Sequence, residues 1–428
     1  MFRFLAEDAG LGRAGALKAM DRVPHLRNYS VEGKLARRHT FLVEEAGLGW
    51  AGAAKAITRE PKVLGYSVRK NLRPAAKFLV EELGLRKDGA AKLITTFPRV
   101  LGLSVDDNIA PKVRYLAEEV GLGRAAAVKV ITMHPQVFSY SVEDNIAPKV
   151  RYLAQEVGLG RAAAVKVITT HPQVLSYSVE DNIAPKVRYL AEEVGLGRAG
   201  TVKVITKFPN VLSVSVDDNI APKVRYLAEE LGLGRAGAVK VIIGCPTVLG
   251  MSVEDNIAPK VRYLAEVVGV GHEGAADIIL AFPTLLCYNI ERKLRPTLRF
   301  LSEHFLDTNA AKLVSLAHYS LAGRLVPRVR LLQRHGQAGR FAASSMAVYT
   351  PAKFCESVGI TMEEYDAEVA ACVREYAQKH PGPEGGAEDS GGGRGKGRGS
   401  GGGSGGGSGG DKGGGSGGGG RAGRVRVR

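Results

Sequence analysis

Apolar residues recur along the chain at helical spacing, in segments of similar length. One segment carries four of them at steps of four, three and four residues: Ile109, Val113, Leu116 and Val120. Such steps place side chains on one face of an α-helix. Ser104 precedes the segment where an N-cap would stand, and Gly121 follows it where a glycine would end the helix. The pattern predicts a first helix over about residues 105–120.

Two prolines shape the rest of this unit. Pro111 lies inside the first helix and lacks an amide N–H, so it should kink that helix or start it afresh and leave it curved. The alanine-rich stretch from about Arg124 to Thr132 predicts a short second helix. This helix stops ahead of Pro135, because a residue before proline is pushed out of the α region. We expect a tight turn or a short 3₁₀ helix to follow.

The unit recurs every 37 residues. Prolines mark this step: Pro24, Pro61, Pro98, Pro135, Pro172, Pro209, Pro246 and Pro283. Two short helices cannot bury their apolar faces alone, so neighbouring units must stack. The sequence therefore predicts an all-α solenoid of 37-residue helix-turn-helix repeats, curved into a superhelix with a long concave surface.

The pattern divides the chain into four parts. We expect a partial repeat at 1–23, helical repeats over 24–349 with the last one six residues short, a closing helical cap at 350–380 and a tail at 381–428. The tail consists largely of glycine with scattered basic residues, so it cannot pack a core and should be disordered. It could bind nucleic acid loosely or serve as a plain solubilising linker, and the sequence leaves both open.

Charge points to a polyanionic partner. The formal net charge is +16, but residues 99–282 hold twenty basic and twenty acidic side chains. Residues 283–340 hold ten basic and three acidic ones, which is the most concentrated excess. A nucleic-acid footprint is therefore expected first at the C-terminal repeats.

Other classes of function lack support in the sequence. Uninterrupted apolar runs are too short for a membrane span, and the four cysteines show no zinc-binding spacing. The sequence contains no phosphate-binding loop, metalloprotease motif or nucleophile elbow. We expect a protein that is not an enzyme, with no cofactor, no small-molecule substrate and no membrane partner, acting as a monomer.

Three sets of cations are candidates for phosphate contact. The first, which we call the arginine ladder, stands one per repeat on the first helix: Arg114, Arg151, Arg188, Arg225 and Arg262. A helical projection puts Arg114 away from the apolar stripe, with Lys112 on the flank and Glu118 one turn on. The ladder is either a solvated face laced with ion pairs or a series of phosphate contacts.

The second set, the Gly-Leu-Gly arginines, opens the second helix: Arg124, Arg161, Arg198 and Arg235. A cation opposes the dipole at a helix N-terminus, so its recurrence needs a reason. It could seat a phosphate beside unpaired N–H groups, or pair with Glu118 or Glu119 of a neighbouring repeat. The third set is the C-terminal cluster, which has few acids near it in sequence: Arg292, Lys293, Arg295, Arg299, Arg324, Arg328, Arg330 and Arg334.

The motif within each repeat resembles that of the mitochondrial transcription termination factor (mTERF) family. The resemblance rests on FPRVLGLS at 97–104 and IAPKVRYLAEEVG at 109–121, and it recurs in register over about residues 4–340. It implies a superhelix of helical repeats that binds double-stranded DNA, or sometimes RNA, and acts in organellar transcription, RNA processing or translation. Location in the mitochondrion or chloroplast would follow. The rival interpretation is an α-solenoid scaffold that binds a protein in its concave face.

Overall fold

A proline lies inside the first helix of most repeats, although the helix at 31–45 has none. In the computed structural model the segment Val105–Ile109 is a π-helical turn, and the amide of Ala110 donates to the carbonyl oxygen of Val105, five residues back. An α-helical turn then begins, Ala110–Arg114, with Pro111 in its first positions. The backbone stays in the right-handed helical region at Ile109 and Ala110, so the helix continues across Pro111 through a widened turn. A fresh start of the helix at Pro111 is therefore not observed.

Both ends of this helix are capped as the sequence predicts. The Ser104 hydroxyl accepts a hydrogen bond from the amide of Asp107 at 3.1 Å. At the other end Gly121 has a φ of +85°, a left-handed conformation that favours glycine. The second helix is Gly123–Met133, and a 3₁₀ helix, Pro135–Ser139, leads to the next repeat.

The same elements recur along the chain. The first helices consist of these segments: Phe4–Asp8; Val31–Leu35, Ala36–Thr40 and Phe41–Glu45; Val68–Leu72, Arg73–Lys77 and Phe78–Glu82; Val105–Ile109, Ala110–Arg114 and Tyr115–Glu119; Val142–Ile146, Ala147–Arg151 and Tyr152–Glu156; Val179–Ile183, Ala184–Arg188 and Tyr189–Glu193; Val216–Ile220, Ala221–Arg225 and Tyr226–Glu230; Val253–Ile257, Ala258–Arg262 and Tyr263–Val267; Ile290–Leu294 and Arg295–His304; Leu321–Leu325 and Val326–Arg334. The second helices are Gly12–Arg22, Gly49–Arg59, Lys87–Thr96, Gly123–Met133, Gly160–Thr170, Gly197–Lys207, Gly234–Gly244, Gly271–Ala281 and Ala310–Leu316. The 3₁₀ helices are Pro24–Asn28, Pro61–Gly65, Pro98–Gly102, Pro135–Ser139, Pro172–Ser176, Pro209–Ser213, Pro246–Gly250 and Pro283–Cys287. Three α-helices, Ala343–Val348, Pro351–Val358 and Met362–Lys379, follow the repeats.

Stacking of neighbours supplies the core. Each repeat buries residues from all three of its helices, for example Leu116, Ile131 and Phe138. Most second helices pack against the second helix of the next repeat. The apolar positions thus form one continuous cluster along the stack. The predicted helical-repeat solenoid is confirmed.

The structure describes residues 1–305 and 309–380, and these contain no strand. Residues Met1–Glu375 form one compact unit, and the second begins at Tyr376. The predicted disordered tail at 381–428 lies outside the described residues. None of the helices in the described part is long and apolar enough to cross a membrane.

Candidate nucleic-acid interface

The Gly-Leu-Gly arginines bind the backbone of the preceding repeat. The Arg161 guanidinium donates to the carbonyl oxygens of Glu118, Glu119 and Val120 at 3.3, 2.9 and 3.4 Å. The other three make equivalent bonds: Arg124 to Glu82, Arg198 to Gln155, and Arg235 to Glu192, Glu193 and Val194. Each arginine therefore satisfies carbonyl groups at the end of the neighbouring first helix.

The guanidinium also packs against a glycine of the preceding repeat. A Cβ atom added at Gly121 would lie 2.8 Å from Nη2 of Arg161, so the guanidinium would have to shift to make room for a larger residue. The recurring Gly-Leu-Gly-Arg sequence is thus a joint between repeats. These arginines are therefore used in packing between repeats and not as a phosphate seat. Arg161 does contact Glu118 and Glu119 of the neighbouring repeat, as the sequence indicates, but it binds their backbone carbonyl oxygens and not their carboxylates.

One member of the C-terminal cluster cannot contact a phosphate. Arg328 has no exposed surface, and its guanidinium donates to the carbonyl oxygen of Met346 at 2.6 Å and to the Tyr365 hydroxyl at 3.3 Å. The guanidinium carbon also lies 4.8 Å from the centre of the Phe354 ring. The prediction that Arg328 binds nucleic acid is therefore wrong, because the last helices cover it.

Acids from the last helix neutralise two further members of the cluster. Arg330 pairs with Glu375 at 2.8 Å and with Glu368 at 3.5 Å, and Arg334 pairs with Glu368 at 2.5 Å. These carboxylates lie more than thirty residues further along the chain. The expectation of unbalanced charge is wrong at these two positions, because it considers only acids close in sequence.

The remaining members are more accessible. Arg295 pairs with Glu291, and Arg299 with Glu303, at 2.9 Å each, in exposed i,i+4 pairs of the kind that contribute little. Arg324 lies 4.8 Å over the Tyr319 ring, and Lys293 lies 5.1 Å over the Tyr288 ring. The side chain of Arg292 is exposed.

The arginine ladder is exposed and unpaired. All five side chains lie at the surface, and none forms a hydrogen bond or ion pair with the part of the chain that the structure describes. The expected pairing of Arg114 with Glu118 is absent from those residues. Of the candidate sets, the ladder is the one whose cations remain available.

Two of the ladder arginines, Arg151 and Arg188, border a groove between two repeats. One groove, of about 330 Å³, is lined by Tyr115, Glu119, Arg151 and Arg161 among others, and the same groove recurs around Tyr152 and Arg188. Burial raises the pKa of the Tyr115 phenol, Glu119 adds to the shift, and the nearby charge of Arg151 opposes it. The tyrosine of one repeat therefore lies beside the ladder arginine of the next.

The lysine beside each ladder arginine faces inward instead. Lys112 is 7% exposed, and its Nζ donates to the carbonyl oxygen of Phe138 at 2.6 Å. Its equivalents are buried in the same way: Lys149, Lys186, Lys223 and Lys260. Burial lowers the pKa of Lys112. The helical projection places these lysines on the flank of the helix, but they turn inward. All of them except Lys223 donate to a carbonyl oxygen of the 3₁₀ helix that follows.

A second cationic set was not predicted from the sequence. The second helices carry an exposed lysine at the same position in seven consecutive repeats, which we call the lysine ladder: Lys18, Lys55, Lys92, Lys129, Lys166, Lys203 and Lys240. None of these ammonium groups is ion-paired within the described residues. The 37-residue step alone would have revealed them.

The lysine ladder lies away from the grooves and away from acids. On the second helix Arg161, Ala164 and Val165 line a groove, whereas Lys166 lies roughly 150° around the helix from them. Four consecutive stretches around these helices contain no Asp or Glu: 120–142, 157–179, 194–216 and 231–253. The net charge of the middle repeats is zero because acidic first helices balance second helices whose charged side chains, in these four stretches, are all basic.

Comparison with known proteins identifies the family. The mTERF family model matches residues 4–156 and 42–355, which together span most of the chain, so the protein belongs to the mTERF family. The resemblance drawn from the repeat motif is confirmed. Membership suggests nucleic-acid-binding regulation of gene expression in organelles, in a family of non-enzymatic proteins. Among curated proteins, none matches the sequence.

Proposed function

We propose that this protein binds double-stranded DNA through the arginine ladder and so regulates gene expression in the mitochondrion or chloroplast, by transcription termination or RNA processing. The observation that carries the proposal is the set of five exposed arginines, one in each of five consecutive repeats, that form no ion pair within residues 1–305 and 309–380. Arginine suits phosphate because its planar guanidinium donates two parallel hydrogen bonds.

The spacing of the ladder suits a polyanionic strand. Packed helices lie about 8–10 Å apart, and one DNA strand has a phosphate about every 3.4 Å along the axis. Arginines of consecutive repeats would therefore contact separate phosphates of the strand. Lys77 and Arg299 stand in the same register at the two ends, where each forms an exposed ion pair one turn along its helix, with Glu81 and Glu303. Exposed Arg292 and Arg295, and half-buried Lys293, would add contacts at the C-terminal end.

Binding by the middle repeats should depend little on base sequence. The copies at 141–162 and 178–199 differ only by Gln155 against Glu192, so successive repeats present the same side chains. Contacts to phosphate position a protein on a duplex but carry no sequence information. Specificity would have to come from the more divergent terminal repeats.

A salt titration tests the proposal. The test variant replaces Arg114, Arg151, Arg188 and Arg225 with Gln. The control replaces four exposed cations outside the ladder with Gln: Arg86, Arg340, Lys353 and Arg374. Fluorescence anisotropy with a labelled duplex should show lower affinity for the test variant. Its slope of log K against log[salt] should be shallower by about 0.9 for each phosphate that the variant no longer neutralises.

The control variant separates site binding from general charge, since both variants lose four positive charges. Equal losses of affinity in the two would mean that overall charge governs binding. If the wild type did not bind duplex at physiological salt, the rival interpretation, a scaffold that binds a protein partner, would be favoured. Both variants must first match the wild type in helical content and melting temperature.

A further inference from the structure

Two cysteines from neighbouring repeats lie in direct contact, although they are 42 residues apart in sequence. The Sγ atoms of Cys245 and Cys287 are 2.7 Å apart. Cys245 joins the second helix Gly234–Gly244 to the 3₁₀ helix that follows it, and Cys287 ends the next 3₁₀ helix, Pro283–Cys287. The cysteines are therefore held by two different repeats.

The repeat itself builds this contact. The separation of the two cysteines equals one repeat plus five residues, and Phe208 and Gly250 stand at the same two positions one repeat earlier. There the aromatic ring covers the glycine so closely that an added Cβ would lie 2.5 Å from Cζ of Phe208. Backbone packing thus brings these positions together whatever side chains occupy them. In one repeat pair both side chains are thiols.

We propose that Cys245 and Cys287 form a site of reversible oxidation that closes to a disulfide between two consecutive repeats. A disulfide bond is about 2.05 Å long, so closure requires the sulfur atoms to approach by only about 0.7 Å. Cys287 is exposed and accessible to a reagent, whereas Cys245 is 3% exposed and lies behind it. The reaction should therefore begin at Cys287.

A small disulfide such as oxidised glutathione would serve as the oxidant. The Cys287 thiolate attacks one of its sulfur atoms, forming a mixed disulfide and releasing one glutathione thiolate. The Cys245 thiolate then attacks the Cys287 sulfur, and the second glutathione leaves. The two protein thiols lose two electrons and two protons, and the oxidant becomes two thiols. A hydrogen bond to Cys287 and burial raise the pKa of Cys245 while both thiols are reduced, which disfavours Cys245 as the first nucleophile.

Mass spectrometry tests the site in the full-length protein. After reduction, the protein is treated with oxidised glutathione, and the remaining thiols are alkylated in denaturant before digestion. The intact mass should fall by two hydrogen atoms, and one cross-linked peptide should join Cys245 to Cys287. Cys355 and Cys372 are buried elsewhere and should be alkylated, which makes them internal controls.

Single variants check the order of steps. Cys245→Ser should stop at a mixed disulfide on Cys287, and Cys287→Ser should leave Cys245 open to alkylation. The proposal is overturned if the wild type keeps glutathione on Cys287 while Cys245 is alkylated, or if cross-links form at random among the four cysteines. The result does not depend on nucleic-acid binding.

Discussion

The Arg161 guanidinium donates to the backbone carbonyl oxygen of Glu119 at 2.9 Å and forms no ion pair with the Glu119 carboxylate within the described chain. This carbonyl belongs to the last turn of a helix, where acceptors have no partner within the helix and the dipole is negative. The arginine opposes the dipole of its own helix but stabilises the end of the preceding one. The recurrence of a cation at an unfavourable helix position thereby has a structural reason.

Loss of such an arginine should destabilise the stack. Arg161→Ala should lower the free energy of unfolding by roughly 1 kcal/mol, because several carbonyl groups lose a charged donor. Urea denaturation followed by circular dichroism measures the change. Arg13 stands at the same position in the first repeat, and its side chain forms no hydrogen bond within the described residues. Arg13→Ala should therefore have little effect on the free energy of unfolding. Equal losses of stability in the two variants would contradict the claim that Arg161 stabilises the contact between repeats.

Arg328 should matter for stability and not for binding. Arg328→Ala leaves a cavity and removes the donor to the Met346 carbonyl oxygen, so the loss should be about 3 kcal/mol. Arg328→Met keeps most of the volume and should cost less, since a buried charge is expensive to desolvate. Urea denaturation compares the two. If folded Arg328→Met bound duplex more weakly than the wild type at equal stability, Arg328 would after all contribute to binding.

The fold was largely readable from the sequence because its signals are local and recur. Ser104, Pro111, Gly121 and Pro135 each act on the backbone within a few residues, and every repeat restates them. The π-helical turns around Pro111 were not foreseen. The same turn occurs at Val31–Leu35, ahead of a segment without proline, so neither the prolines nor the periodicity of apolar residues accounts for it.

The site was less readable because it depends on contacts between distant residues. Helical spacing correctly separated Arg114 from the apolar stripe, but it could not show that Lys112 turns inward to a carbonyl 26 residues away. Likewise Arg330 meets Glu375, an acid 45 residues further on. Counting charge along a segment treats every cation as available, and only the fold shows which ones are already bound.

The lysine ladder should add phosphate contacts on a second face. Replacing Lys129, Lys166, Lys203 and Lys240 with Gln should weaken duplex binding and flatten the salt slope, because the second helices carry no acids that could neutralise these lysines. The effect should be smaller than that of the arginine variant, since an ammonium group makes no bidentate contact. Anisotropy under the conditions used for the arginine variant provides the comparison. An unchanged slope would mean that the lysines only solvate the surface.

Stability should fall in mild acid because of two buried histidines. Burial lowers the pKa of His134, and the neighbouring His171 lowers it further; burial also lowers the pKa of His171. Both residues bind a proton less readily in the folded state than in the unfolded chain, where the pKa is about 6.5. Their contribution to stability is therefore present above about pH 6.5 and is lost as the pH falls below that value.

The two histidines can be replaced without disturbing the repeat, because Phe97 and Phe208 occupy the same position in other repeats. The double variant His134→Phe, His171→Phe should melt with a shallower dependence on pH between about 6.5 and 5 than the wild type. Calorimetry or circular dichroism at a series of pH values measures this slope. Some slope should remain, because burial also lowers the pKa of His39. A double variant that loses stability with acid as steeply as the wild type would show that other groups govern the transition.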